Sequence, residues 1–380
     1  MGVNNQISVD NNDNNDNNNS PRLKPAARIL FCVLTVILCC VSSANPLGLV
    51  SLPFTVTAAA LIVNLSLCYP KSDSRRWAVY TLAIPSGALA LLIYPVADRT
   101  ALAAAVAAVL FPFVLALPTA VCISRRRSRT AAIAMSAAAA LLLWLAAGAI
   151  IVYFRYSSID LSSVAQSLDD IVEPFRGYLK GFTYELDGEV VNYYSDADIE
   201  GLCEYLKSVM LGILGAAMTI ISYAASLLTR LVARSFDRES MLPIVRRIHV
   251  HRKKTPDGPA VEVRQETAVW PVTLDNLTAF VYIGSYLLSV LLASDNVILV
   301  AGATAQNLMI LLTPAFVYAG VREVMGGSGG AATSPSGCLI FAVAAVFVFV
   351  NPLLLAVLLA VIGVVATIRD NLRTRRIKPS

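Results

Sequence analysis

Residues 130–154 read TAAIAMSAAAALLLWLAAGAIIVYF, an uncharged run entered through the basic stretch Arg125-Arg126-Arg127-Ser128-Arg129. Crossing about 30 Å of hydrocarbon as a helix takes about 20 apolar residues. A helix also satisfies its own backbone hydrogen bonds where lipid offers no partner. The stretch has the length and composition of a transmembrane helix, and a basic flank to orient it.

The same window, moved outward, finds further spans at 26–43, 46–68, 77–95 and 101–123, then at 205–233, 274–293 and 296–320. Composition agrees. The 380 residues are 57% hydrophobic and 14% charged, with a mean hydropathy of +0.66, whereas soluble domains are about 45–50% apolar and about 25% charged. These values exclude a disordered chain, a coiled coil, a collagen-like fibre, a small disulfide scaffold and a soluble enzyme. The fold class expected is all-α, a polytopic transmembrane helix bundle of about eight spans. A last apolar block, 338–368, is broken at its middle by Asn351-Pro352.

Lys and Arg set the orientation, because basic loops stay cytoplasmic. If each span through 320 crosses once, 25 of the 30 basic residues fall on one side. The five left on the other are Arg99, Arg155, Arg176, Lys180 and Lys207. The chain is therefore expected in the cell membrane with both termini cytoplasmic. The bookkeeping also asks the last block to enter and return near Asn351-Pro352, since proline removes a donor and disfavours helix in the residue before it. A single tilted crossing, with the C-terminus outside, is the competing reading.

This divides the chain into a disordered Asn-rich tail (1–25), a five-helix bundle (26–154) and an acidic extracytoplasmic segment (155–204). One helix (205–233), a basic cytoplasmic loop (234–272), C-terminal helices (273–368) and a basic tail (369–380) follow. The first span has the outline of a signal peptide, with Ser42-Ser43-Ala44 as a small-residue cleavage site, but reads better as an uncleaved helix. In the acidic segment, Leu161, Val164, Leu168, Ile171, Val172 and Phe175 fall at helical spacing. They predict an amphipathic helix lying on the membrane or packing on the bundle. Asp187-Gly188 between two short β-prone runs predicts a hairpin, and Ser195 three residues before Asp198 predicts a capping box. Asp196, Asp198 and Glu200 echo the start of a calcium loop, yet Lys207 stands where the bidentate Glu belongs. In the basic loop, Thr255-Pro256-Asp257-Gly258 predicts a second hairpin, with His249 and His251 on one strand face and too few neighbours for a zinc site.

Motifs for chemistry are absent: there is no HExxH, CxxC or phosphate loop, and the one GxSxG match, Gly326–Gly330, falls in the Gly/Ser/Ala-rich stretch 326–337 that reads as a flexible linker. Seven cysteines, mostly in apolar blocks, read as small helical residues. Cys203, at the outer end of the sixth span, is expected to meet an impermeant thiol reagent. No catalytic residue, metal ligand or cofactor is expected, and no nucleic-acid partner. The expected partners are the lipid bilayer and other membrane subunits, with a small-molecule ligand left open. At membrane depth the most polar neighbours are Gln306 and Asn307, which either line a cavity or bond to the next helix. Pro53, Pro85, Pro112, Pro118 and Pro314 are expected to break or kink their spans. Gly212 with Ala216 forms a small-xxx-small pair that permits close helix approach.

In the C-terminal third, Trp270-Pro271 precedes a span, Asn307-Leu308 opens a run ending at Gly320, and Gly363 is followed ten residues on by Arg373. This order resembles the YybS-like family of bacterial polytopic membrane proteins, over roughly residues 268–376. Where that family carries an Asp three residues after the glycine, this chain has Ala366. The resemblance implies a non-enzymatic membrane protein, and that family is similar in hydropathy to the substrate-capture subunits of energy-coupling-factor transporters. Two functions are therefore expected: a ligand-binding transport component, or a structural scaffold contacting envelope partners.

Overall fold

The computed structural model describes residues 25–43, 50–69, 75–93, 98–186, 189–235, 242, 245–255, 258–269, 272–292, 299–326 and 352–377. Its helices are α1 (Pro25–Ser43), α2 (Leu52–Ser66), α3 (Arg75–Ala78), α4 (Ala83–Ile93), α5 (Arg99–Ser124), α6 (Arg129–Tyr156), α7 (Leu161–Lys180), α8 (Asp196–Ser235), α9 (Asn276–Leu291), α10 (Leu299–Gly326) and α11 (Pro352–Ile377). Two antiparallel hairpins complete it, β1 (Thr183–Leu186) with β2 (Glu189–Asn192), and β3 (Val245–Thr255) with β4 (Gly258–Val269). Six helices, α1, α5, α6, α8, α10 and α11, are long and apolar enough to cross a membrane, and α2, α9 and the 79–93 stretch are shorter apolar helices. The chain is a helical bundle of membrane type.

Two cores lie in sequence order. The first joins α1, α2, α5, α6 and the inner half of α8 around Ile62, Phe111, Leu115 and Met218. α2 is apolar on all sides and buried almost throughout, as expected of a helix enclosed by others. The second core is built by α9, α10 and α11 around Ala279, Phe316, Ala360 and Val364. α8 packs against both groups, touching α2 and α6 on one side and α10 on the other.

Contacts fix the directions. α10 runs parallel to α8, with Asn307 beside Gly212 and Tyr318 beside Tyr223. α9 is antiparallel to α10, because Tyr282 meets Phe316 while Val272 meets Arg322. α11 is parallel to α10: Arg369 pairs with Glu323 at 2.8 Å, one end of each helix meeting the same end of the other. Gly326 and Ile377 therefore lie toward one end of the bundle. That agrees with the entering-and-returning reading of the last block, whereas a single crossing would have made α11 antiparallel. The segment 338–351 lies outside the described residues.

One end, the basic end, carries Arg28, Arg125–Arg127, Arg129, Arg230 and Arg322. The other, the acidic end, carries Asp98, α7 and the β1–β2 hairpin. α7 does not lie away from the helices: it packs antiparallel along the first turns of α8, through Lys180–Asp196 at 3.5 Å, Arg176–Glu200 at 3.1 Å and Asp169–Lys207. Val172 and Leu179 are buried there against Ile199 and Cys203.

Several expectations are corrected. The 205–233 span extends outward to Asp196, giving 40 residues, or about 60 Å of helix at about 1.5 Å per residue. α7 supports its first turns, so nothing ends it at the membrane face. α5 runs through Pro112 and Pro118, and α10 through Pro314. Pro53 sits in the first turn of α2, where its missing N–H has no intrahelical acceptor to lose. Only near Pro85 does the regular helix give way, to a 3-10 turn at Val79–Leu82. Cys203 is not open to solvent but fully buried beneath α7.

Both hairpins form as predicted, with His249 opposite Gln265 and His251 opposite Val263 across β3–β4. The capping box is present too: Ser195 Oγ accepts from Asp198 N–H at 3.2 Å, and Asp198 Oδ2 accepts from Ser195 N–H at 3.3 Å. With Asp198 capping the helix and Asp196 and Glu200 paired to α7, these acids serve the helix start. Residues 1–24 and 327–337 lie outside the described residues.

Candidate functional site

Asn307 sits one third of the way along α10, facing α8. Its Oδ1 accepts from Gly212 N–H, and its Nδ2 donates to Ser208 C=O at 2.6 Å and to Ala303 C=O at 2.8 Å. Ser208 and Gly212 are four residues apart, the spacing of one helical hydrogen bond. The amide thus bridges a donor and an acceptor of the same turn of α8. Close approach is what permits this: a Cβ on Gly212 would sit 2.8 Å from the Cα and carbonyl oxygen of Asn307. Gly215, one turn further, receives the tip of the Leu311 side chain, whose Cδ1 would lie 2.5 Å from a Cβ there. Gln306 is half-buried and makes no hydrogen bond to a described residue. The structure therefore uses Asn307 as a helix-to-helix join and does not pair it with Gln306.

Other polar groups inside the bundle are spent the same way. Asn64 on α2 donates to Thr229 C=O of α8 at 3.2 Å. The Thr119 and Ser136 hydroxyls meet at 3.0 Å between α5 and α6.

Gly320 and Gly363 face each other where α10 crosses α11. A Cβ on Gly320 would overlap the carbonyl oxygen of Leu359, and one on Gly363 that of Phe316. Spacing alone gave no sign that these two glycines meet. Trp270 and Pro271 lie outside the described residues. Arg373 falls in the last turns of α11.

At the basic end, the start of α9 and the ends of α10 and α11 enclose a cleft of about 130 Å³ lined by Val272, Tyr318, Arg322, Glu323, Asp370 and Asn371. Small-molecule sites are typically about 300–1,000 Å³. The cleft's charges are paired across it, Arg369 with Glu323 and Arg322 with Asp370 at 3.9 Å, and Asn371 Nδ2 donates to Leu274 C=O at 3.0 Å. It works as a clasp for three helix ends.

Arg129 is the residue that sequence reading missed, having been counted with its loop. As the first residue of α6 it is only 4% exposed. Its Nε donates to Ser226 Oγ of α8 at 2.9 Å, and its guanidinium carbon lies 4.8 Å from the centre of the Tyr223 ring. Tyr223 in turn packs on Tyr318 of α10, ring centres 4.5 Å apart. The neighbouring Thr130 accepts from Thr273 N–H at 2.7 Å, tying α6 to the start of α9. A signal was present: Ser128 caps α6, so the residue after it had to enter the helix rather than stay in the loop.

Fold and interior together define a polytopic helical membrane protein. Set against family models, curated proteins and solved structures, the chain matches none.

Proposed function

We propose that the chain is a non-enzymatic integral membrane protein with a scaffolding role. It would hold an extracytoplasmic platform, made of α7, the β1–β2 hairpin and the outer turns of α8, for contact with other envelope proteins. The observation that carries this reading is Asn307: both amide hydrogens and the amide oxygen of the most polar residue expected at membrane depth are bonded to helix backbone. A group committed to holding α8 against α10 supports a rigid frame over a ligand cavity. The ion pairs between α7 and α8 support the same view of the platform. Orientation belongs to this proposal as well, with the basic end cytoplasmic by the positive-inside rule. So does the YybS-like resemblance, two of whose positions, Gly320 and Gly363, act here as packing residues.

The test is thermal stability of the purified full chain, wild type and Asn307→Leu, with and without a panel of vitamins, amino acids and nucleosides. The expected result is no shift from any compound, and a loss of about 1–2 kcal/mol in the variant, from two interhelical hydrogen bonds at about 0.6 kcal/mol each or somewhat more. A compound that stabilises the wild type but not the variant would replace scaffolding with ligand capture.

A further inference from the structure

We infer that the basic ends of α6, α8 and α10 form a binding site for a phosphate-bearing anion, with the Arg129 guanidinium as its inner ligand. The inference stands apart from the scaffolding reading. A guanidinium held among apolar helices is unfavourable unless it is neutralised and fully hydrogen-bonded, and a charge kept at such a place is kept for use. Arg129 has neither kind of compensation in full. One nitrogen is satisfied by Ser226 and one face by Tyr223, but Nη2 is buried without a hydrogen-bond partner. No described Asp or Glu pairs with it.

The charged and titratable groups felt by Arg129 are Tyr223, Tyr318 and Arg230, the last one turn beyond Ser226 on α8 and of like sign. The neighbourhood is therefore positive and lacks an anion. A second donor points the same way: Ser222, one turn before Ser226 on the same face of α8, is buried with its hydroxyl unpartnered. A guanidinium fork and a hydroxyl are the donors that phosphate oxygens take in hydrogen-bonded recognition. Exposed Arg125, Arg126 and Arg127 in the preceding turn extend the positive field to the surface. Basic pockets between transmembrane helices at a membrane face hold anionic head groups. The anion is thus either a phospholipid head group, which the position favours, or a soluble phosphate.

The test uses the full chain in neutral detergent, with thermal stability read against added phosphatidylglycerol, phosphatidylcholine or inorganic phosphate. Phosphatidylglycerol should raise the wild-type midpoint in a saturable way, and phosphatidylcholine should not. Arg129→Gln should lose that rise, with binding weakened about tenfold or more, while Arg125→Gln on the exposed turn should keep it. Without anion, Arg129→Gln should be no less stable than wild type, because it removes an uncompensated charge. Ser222→Ala, a milder change, should weaken the response part-way. A rise with inorganic phosphate alone would keep the site and assign it a soluble source. The inference is overturned if no anion shifts the wild type, if Arg129→Gln responds equally, or if that variant is destabilised alike under every condition, which would make Arg129 a packing residue.

Discussion

At the scale of single residues, glycine and asparagine do work here that apolar side chains cannot. Gly320 and Gly363 let two backbones touch, so Gly363→Ala pushes a methyl group into the Phe316 carbonyl. Such overpacking typically costs about 1–3 kcal/mol, and here the obstacle is backbone and not the tip of a flexible side chain. Gly284 in α9 has nothing within 4 Å of its Cβ position. Gly284→Ala should therefore be neutral or slightly stabilising, since alanine is favoured over glycine in a helix by about 1 kcal/mol. Thermal unfolding of the two variants in one detergent checks the contrast, and equal effects would deny the close crossing. Gly212 was legible in the sequence through its small-xxx-small spacing. Its partner Asn307 was legible as a polar residue at depth, but which backbone it would meet was not, because the pairing joins residues far apart in the chain.

At the scale of elements, caps explain where the helices begin. Asp98, Asp160 and Asp275 each accept a backbone N–H three residues on, opening α5, α7 and α9. Asp160 illustrates the consequence for pH. The Ser163 N–H, then the Ser162 and Ser163 hydroxyls, hold its carboxyl at about 2, against an ordinary value of 3.8. A depressed folded value contributes stability that is complete above the unfolded value, and is lost as pH falls through about 2. The first turn of α7 should lose hydrogen-exchange protection between about pH 4 and pH 2, after correction for intrinsic rates. Asp160→Asn caps comparably without titrating, so its protection should stay flat with pH, and a variant that tracks the wild type would remove the carboxylate from the account. The start of α8 was readable from Ser195 and Asp198, because capping is local. That α7 would return to cover Ile199 and Cys203 was not, since it joins segments through tertiary packing.

At the scale of the whole molecule, the order of spans was legible, because apolar length and basic flanks are properties of the chain itself. Which helices share a core was not, since lipid-facing and helix-facing positions are equally apolar and carry weak periodicity. The two-ended arrangement gives a direct test. In a background without native cysteines, Tyr193→Cys, 68% exposed at the acidic end, should react with an impermeant maleimide on intact cells. Arg125→Cys at the basic end should react only after permeabilisation. Reporters inserted at residue 330 and fused after Ser380 should report one and the same compartment, and opposite compartments would contradict the parallel packing of α10 and α11. The two cores have a further consequence, in time rather than space. Every residue of the first core precedes residue 243, and every residue of the second follows residue 273. A ribosome delivers them in that order, and domains generally fold as they emerge, N-terminal first. By the time α10 is synthesised, α8 can already stand assembled among α2, α5 and α6 with its Gly212–Gly215 face uncovered. The first half then serves as the template on which the second is laid down.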